Sequence, residues 1–180
     1  ARNWKTYLGR VLRPWVSGSV LDVGSGMGAT AEILVSDAVR KWTCLEPDPS
    51  LANAIESKIR AGVLPAQCIC RQGTIGDLEP DATFDAILYI DVLEHIGDDR
   101  GELAAAASRL EPNGRLVVLA PAHPWLYSPF DASLGHHRRY TMRSLLALTP
   151  EGLSCEAALY LDTAGVLASA SNRLLLRSEK

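Results

Sequence analysis

The stretch that most constrains this chain is Val20 to Thr30, which reads Val-Leu-Asp-Val-Gly-Ser-Gly-Met-Gly-Ala-Thr. Val20 to Val23 is a short, mostly apolar run of the kind carried by a strand buried on both faces. Gly24, Gly26 and Gly28 follow at once, and glycine lets a backbone turn tightly or approach a ligand where a Cβ would intrude. From Ala29 the residues turn to helix formers, Ala-Thr-Ala-Glu-Ile-Leu. A strand that feeds a helix through glycines offers free backbone N–H groups and the positive end of a helix dipole, which suits the polar part of a nucleotide-like cofactor. The spacing reads as Gly-x-Gly-x-Gly or as the dinucleotide form Gly-x-Gly-x-x-Ala closed by Ala29. Downstream residues have to decide between them.

Length and charge narrow the classes. A chain of 180 residues builds one domain with a substantial core, here taken as 1–180 with a helix within 1–16, and is too short for a cofactor domain plus a full substrate domain. Hydrophobic residues at 47% and charged residues at 22% exclude disordered and fibrous classes. The net charge of -3 gives no global attraction to nucleic acid or to an anionic membrane, so no nucleic-acid partner is expected. No apolar run is long enough to span a bilayer and the N-terminus has no secretory apolar region, so a soluble, cytoplasmic protein is expected. Cys44, Cys68, Cys70 and Cys155 form no Cys-x-x-Cys pair and read as reduced core cysteines.

The remaining chain alternates strands and helices. Trp4, Tyr7, Leu8, Val11, Leu12 and Trp15 recur at the period of an amphipathic helix. Trp42 to Leu45 predicts a second strand ending at Glu46, and Asp48-Pro49 an N-cap with proline at the first helical position. Further strands are predicted at Ala66–Cys70, Phe84–Ile90, Leu116–Ala120 and Cys155–Leu161. Asp99 and Glu102 resemble a capping box for one helix, Pro112-Asn113-Gly114 ends it, Thr141 caps another at Met142–Leu148, and Val166–Arg177 reads as a last helix. The alternation predicts an α/β fold: a doubly wound, mostly parallel Rossmann-like sheet with helices on both faces and its ligand at the carboxyl ends of the strands. Those ends hold the glycine loop, Glu46, the Asp91 turn and the long Pro121–Tyr140 loop, whose length suggests a functional role.

Placed in this order, the residues resemble the class I S-adenosylmethionine-dependent methyltransferases of the small-molecule type over nearly the whole chain. Leu21 to Gly28 is similar to the family's first motif, Leu45-Glu46-Pro47-Asp48 to its second, Phe84 to His95 to its fourth, and Leu110 to Leu119 to the loop and strand that follow. Two departures stand out. Cys70-Arg71-Gln72-Gly73-Thr74-Ile75 has no acid until Asp77 where many members place one near the adenine amine, and no partner strand follows Cys155–Leu161, so the usual final antiparallel strand is expected to be lacking.

The resemblance implies S-adenosylmethionine as cofactor, bound by Asp22, Gly24, Ser25, Gly26, Glu46, Pro47, Thr74, Ile75, Asp91 and Val92. The residues support several of these assignments directly. A carboxylate within an apolar strand, as at Asp22, is costly to bury unless donors meet it. Glu46 stands 22 residues after Gly24 at a strand end, where an acid accepts ribose hydroxyls. Asp91 follows the fourth strand directly and is assigned to the methionine end. His95 reads equally as lining the site or as capping the next turn, and Tyr7 as packing or closing over the cofactor.

Methyl transfer from a sulfonium needs positioning more than side-chain chemistry, with a general base only for a hydroxyl or protonated amine acceptor. Leu134-Gly135-His136-His137-Arg138-Arg139-Tyr140 is the candidate acceptor side. His136 and His137 are placed to take a proton, and Arg139, with Arg138, to hold a carboxylate or phosphate. The expected acceptor is therefore a small or anionic molecule, including a lipid- or sugar-linked one. A structural alternative has the arginines pairing with Asp131 or Glu151. No metal is expected, since His123, His136, His137 and Cys155 meet no ligand spacing. Two rival functions share the loop: a nicotinamide-dependent oxidoreductase, against which Asp22 and the Asp91–His95 turn stand, and a non-catalytic cofactor-binding module.

Overall fold

In a computed structural model, which describes residues 2–161, five parallel strands form one sheet in the order β3-β2-β1-β4-β5. They are β1 (Gly18–Val23), β2 (Val39–Glu46), β3 (Cys68–Gln72), β4 (Phe84–Ile90) and β5 (Leu110–Leu119). The helices are α1 (Arg2–Leu12), α2 (Ala29–Leu34), α3 (Pro49–Arg60), α4 (Asp99–Ala107), α5 (Pro129–Ser133) and α6 (Met142–Leu146). Among the described residues no helix is long and apolar enough to cross a membrane.

Because side chains alternate along a strand, the sheet divides its apolar residues between two layers. Val20, Trp42, Cys44, Ala86 and Leu88 pack with Leu8 and Leu12 of α1, Ala31 and Leu34 of α2 and Ile55 of α3. Leu21, Val23, Leu45, Ile87 and Tyr89 pack on the other side with Leu103 and Ala106 of α4, and with Leu93 and Tyr140. Residues 20–23, 42–46 and 86–89 are buried throughout, the continuous pattern expected of strands covered on both faces. The middle of the sheet is fixed at both ends of β1: the Ser19 N–H donates to Asp85 Oδ2 at 2.7 Å, and Val23 pairs with Leu45 and Tyr89.

Local sequence explains the helix starts. Asp48 Oδ1 accepts the N–H groups of Ser50 and Leu51 at 2.7 and 3.1 Å, with Pro49 in the first turn of α3. Helix α4 is capped by Asp98, which accepts from Gly101 N–H at 2.9 Å, rather than by the predicted Asp99. Asp99 is drawn away to Tyr140 and Arg138, and Glu102 accepts the Tyr89 hydroxyl at 2.7 Å. Thr141 caps α6 as predicted, its Oγ1 accepting Ser144 N–H at 3.0 Å.

Three other expectations are corrected. Cys155–Leu161 forms no strand; it runs largely exposed and, with Leu12, Trp15, Val117 and Leu119, lines a groove of about 280 Å³ beside β5. Its apolar residues are used as groove lining, so the apolar run that suggested a strand is accounted for without backbone pairing. Strand β5 begins earlier than predicted, with Pro112–Gly114 looped out: Phe84 pairs with Leu110, and Ala86 with Arg115. Cys155 is exposed and Cys70 half-buried, while Cys44 and Cys68 are core residues; all four are free thiols. The predicted Val166–Arg177 helix lies outside the described residues.

Candidate active site

The order of the strands puts the carboxyl ends of β2, β1 and β4 side by side: the chain runs outward from β1 through β2 to β3, then crosses back from β3 to place β4 on the other side of β1. Such a switch point opens a crevice at the strand ends. The glycine loop, Glu46 and Asp91 all stand there.

The loop is fastened to β2 by its own backbone. Gly24 and Ser25 N–H groups both donate to the Leu45 carbonyl, at 2.8 and 3.2 Å, and Gly28 N–H donates to Ser25 O at 2.9 Å. Gly26 N–H donates to Glu46 Oε2 at 2.7 Å. These donors were expected to be free for a ligand; they are spent on holding the loop. The glycines differ in why they are needed. Gly24 has φ +63° and a Cβ there would meet Val92 Cγ2 at 2.7 Å, whereas Gly26 has φ +57° and a Cβ there would meet no described atom within 4 Å. Open space above Gly26 is the cradle that a close-lying ligand requires.

Glu46 is only 5% exposed. Its Oε1 accepts Asp48 N–H at 3.0 Å while Oε2 holds Gly26, so the carboxylate is oriented by backbone and each oxygen keeps a further lone pair. Asp91 N–H donates to the Leu119 carbonyl at 2.9 Å, and the residue takes φ +55°, a conformation uncommon outside glycine that is enriched at functional turns. Its carboxylate is reached from the crevice yet flanked by protein, and this partial desolvation raises it above the ordinary range.

Asp22 is 1% exposed and lies on the same face of β1 as Val20. Its Oδ2 and the neighbouring Trp42 Nε1 are buried without a hydrogen bond among the described residues. Burial raises the carboxyl to about 7, Trp42 and Ser25 offsetting this only in part. Ser25 Oγ donates to the Asp22 carbonyl at 2.7 Å and is buried, so its hydroxyl closes the turn. Thr74 N–H and Oγ1 both bond Asp77 Oδ2 at 2.8 Å, and the Ile75 side chain is in the core. Pro47 is exposed on the rim and Val92 half-buried against Gly24. Tyr7, 39% exposed, packs against Trp4.

The long segment after β5 is ordered around Asp131, which is 1% exposed. Asp131 Oδ1 accepts Arg139 Nε at 2.8 Å and faces His136 Nδ1 at 3.2 Å; Oδ2 accepts Ser128 N–H and Oγ at 2.8 and 2.9 Å. Burial opposes its charge, but the Arg139 and Ser128 hydrogen bonds hold it down to about 2. Arg138 pairs with Asp99 at 2.6 Å. The structural pairing weighed for the arginines is thus present with Asp131, and Asp99 takes the other. His137 N–H donates to the Glu94 carbonyl at 2.8 Å, which ties this segment to the turn Leu93–His95 that follows β4. Glu94 is 1% exposed, and burial raises its carboxyl to about 7. The structure therefore brings His136, Arg139, Glu94 and His95 to one place and leaves His123 elsewhere, stacked on Tyr160 at 5.0 Å. The depth of Glu94 had no sequence signal beyond its place after a buried strand.

A parallel sheet of this order, with an acid closing β2 beside a glycine loop, defines a Rossmann-like cofactor-binding class. Residues 2–155 match the methyltransferase-domain family, and the chain belongs to that family. It is 32% identical over 123 residues to the demethylmenaquinone methyltransferase of Tropheryma whipplei (strain Twist), covering 68% of this chain and 49% of that one. It is 31% identical over 106 residues to the ubiquinone biosynthesis O-methyltransferase of Bradyrhizobium diazoefficiens, covering 59% and 41%. The chain thus spans about half the length of these curated relatives. Its fold is similar to that of the glycopeptide N-methyltransferase MtfA in complex with S-adenosylmethionine, with a TM-score of 0.57, 23% identity, and coverage of 69% of this chain and 57% of that one.

Proposed function

We propose that this chain is a cytoplasmic S-adenosylmethionine-dependent methyltransferase acting on a small or anionic acceptor, including a lipid- or sugar-linked one. The observation that carries the reading is Glu46: a buried carboxylate at the end of β2, aimed by two backbone N–H groups and adjoining the open space over Gly26. Family membership and the cofactor named with MtfA support it, and the names of the two curated relatives support a small-molecule acceptor. Neither the nicotinamide nor the non-catalytic alternative is favoured by these comparisons.

In this reading Glu46 accepts the ribose hydroxyls, Gly24 and Gly26 admit the cofactor close to the backbone, and Asp91 meets the ammonium of its methionine end. Pro47 and Val92 border the same crevice; Asp22, Ser25, Thr74 and Ile75 shape it from behind through the contacts described above. The cofactor supplies an activated methyl on a sulfonium. The chain's part is to hold the acceptor in line and to exclude water. His136 or His137 takes a proton where the acceptor must lose one, and Arg139, fixed by Asp131, presents its remaining guanidinium edge to an anionic group.

Calorimetry with S-adenosylhomocysteine tests the cofactor assignment. Glu46→Ala is expected to weaken binding about ten- to a hundredfold, since hydrogen bonds to a charged group contribute about 1.5–3 kcal/mol. Unchanged affinity in that variant overturns the ribose assignment, and tight NAD binding without any response to S-adenosylhomocysteine overturns the function. Screening phenolic, carboxylate and sugar acceptors for release of S-adenosylhomocysteine then identifies the acceptor class.

A further inference from the structure

Glu94, His95 and His136 each present one ligand atom such that all three atoms lie within 4.8 Å of one another. The three come from two elements: Glu94 and His95 sit in the short turn Leu93–His95 directly after β4, and His136 comes from the segment after β5. That segment is tied to the turn and the residues just after it, because His137 N–H donates to the Glu94 carbonyl at 2.8 Å and Arg138 Nη2 donates to the Gly97 carbonyl at 2.8 Å. The His95 and His136 rings meet edge to face, with centroids 4.6 Å apart and planes at 88°.

Two features separate this cluster from a chance meeting of polar side chains. Glu94 Oε2 is buried and has no hydrogen-bond partner among the described residues, on a side chain that is 1% exposed. A buried carboxylate oxygen without a partner is costly, and a cation removes that cost. Asp131 Oδ1 stands 3.2 Å from His136 Nδ1. A carboxylate on one ring nitrogen fixes the tautomer and leaves the other nitrogen's lone pair outward, the arrangement that supports a metal-bound imidazole.

We propose that Glu94, His95 and His136 bind one divalent d-block cation of the Zn²⁺ kind at the acceptor end of the crevice. Two imidazoles and one carboxylate suit such an ion and are a poor set for Mg²⁺ or Ca²⁺, which take oxygen ligands. Bonds of about 2.0–2.1 Å bring tetrahedral ligand atoms to about 3.3 Å from one another. Closing to that spacing requires side-chain rotation, for which the exposed His95 ring has room.

Three protein ligands leave a fourth position open, the pattern of a site that binds a reactant. The consequence for chemistry rests on the methyltransferase reading above. A hydroxyl of the acceptor in that position is polarised by the cation and, since a cation-bound His136 has no free lone pair to act as base, gives its proton to solvent. The resulting oxyanion attacks the methyl carbon of S-adenosylmethionine, forming an O–C bond as the C–S bond breaks, and the electron pair of that bond stays on sulfur as the neutral thioether.

The test uses the whole chain with a Cys155→Ser background, which removes the exposed thiol as a competing ligand. After chelator treatment and dialysis, Co²⁺ is titrated by visible absorption and Zn²⁺ by calorimetry. One equivalent is expected to bind, and His95→Ala and His136→Ala are each expected to lower affinity at least about tenfold, as loss of even an outer partner does. His95 is exposed, so its variant folds even where Glu94→Gln does not. S-adenosylhomocysteine affinity is measured in the same samples. Metal binding lost while cofactor binding persists supports the site; a wild-type chain that binds the metal but not S-adenosylhomocysteine sinks the methyltransferase reading and keeps the site. No metal bound at micromolar concentration, or binding that survives both histidine substitutions, overturns the proposal.

Discussion

Asp22 and Glu94 are two carboxyl groups that burial holds in the neutral form to about pH 7, from ordinary values of 3.8 and 4.5. Their unfolded-state values are the lower ones, so as pH rises from about 4 to 7 the unfolded chain has released protons that the folded chain still keeps. Stability therefore falls across that window and levels off above it. Asp131 works in the opposite sense: held down to about 2, it contributes stability above its ordinary value of 3.8 that is lost as pH falls toward 2. Asp22→Asn is expected to flatten the decline between pH 4 and 7 and to be more stable than the parent at pH 8. Urea unfolding at pH 5 and pH 8 checks this; a variant with the parent's full pH dependence would mean that Asp22 is ionised in the folded chain. At this scale the sequence was legible where a residue's role depends on its own strand end. Glu46 and Asp91 stand at the mouths of β2 and β4 as read from their spacing, and Asp131 was legible as a partner for an arginine. Asp99 was misread as a cap because its partner, Tyr140, is 41 residues away.

Among the elements, the glycine loop shows how three similar residues take different constraints. Gly24 is limited by a neighbour, Val92, and Gly26 by φ alone. Gly24→Ala is expected to destabilise the chain through both the clash and the left-handed backbone, with Val92→Ala recovering part of the loss. Gly26→Val adds only the backbone penalty, about 1–2 kcal/mol, and so is expected to keep the fold while abolishing S-adenosylhomocysteine binding. Thermal unfolding and calorimetry on the same samples separate the two; retained binding in Gly26→Val would mean that no ligand approaches there. The strands β1, β2 and β4 were readable from sequence because strands buried on both faces are nearly continuous apolar runs. Strand β3, an edge strand in which only Cys68 is buried, runs Cys68–Gln72 instead of the predicted Ala66–Cys70. Cys155–Leu161 has similar composition but borders a groove, and periodicity cannot tell lining from pairing. The donors of the glycine loop were misjudged for a related reason: their acceptor, the Leu45 carbonyl, belongs to another strand.

For the molecule as a whole, β1 lies in the middle of the sheet, and this fixes an order of events in time. The contacts of β1 with β2 and of β2 with β3 each span one short helical crossover. The bond from Ser19 to Asp85, by contrast, joins residues 66 apart, and closing so long a loop is slow relative to closing the local ones. Docking of β4 on β1 is accordingly a late step, and it brings Asp91 to the glycine loop. A ligand that needs both sides of that seam has no binding surface until the step is complete. S-adenosylhomocysteine is then expected to slow unfolding in stopped-flow measurements while leaving the refolding rate nearly unchanged, as for contacts absent from the transition state; faster refolding with ligand would place the docking early. On the expected outcome, a cofactor bound here lengthens the lifetime of the finished chain without hastening its formation, so occupancy sets how long a folded copy persists and leaves unchanged how fast it forms.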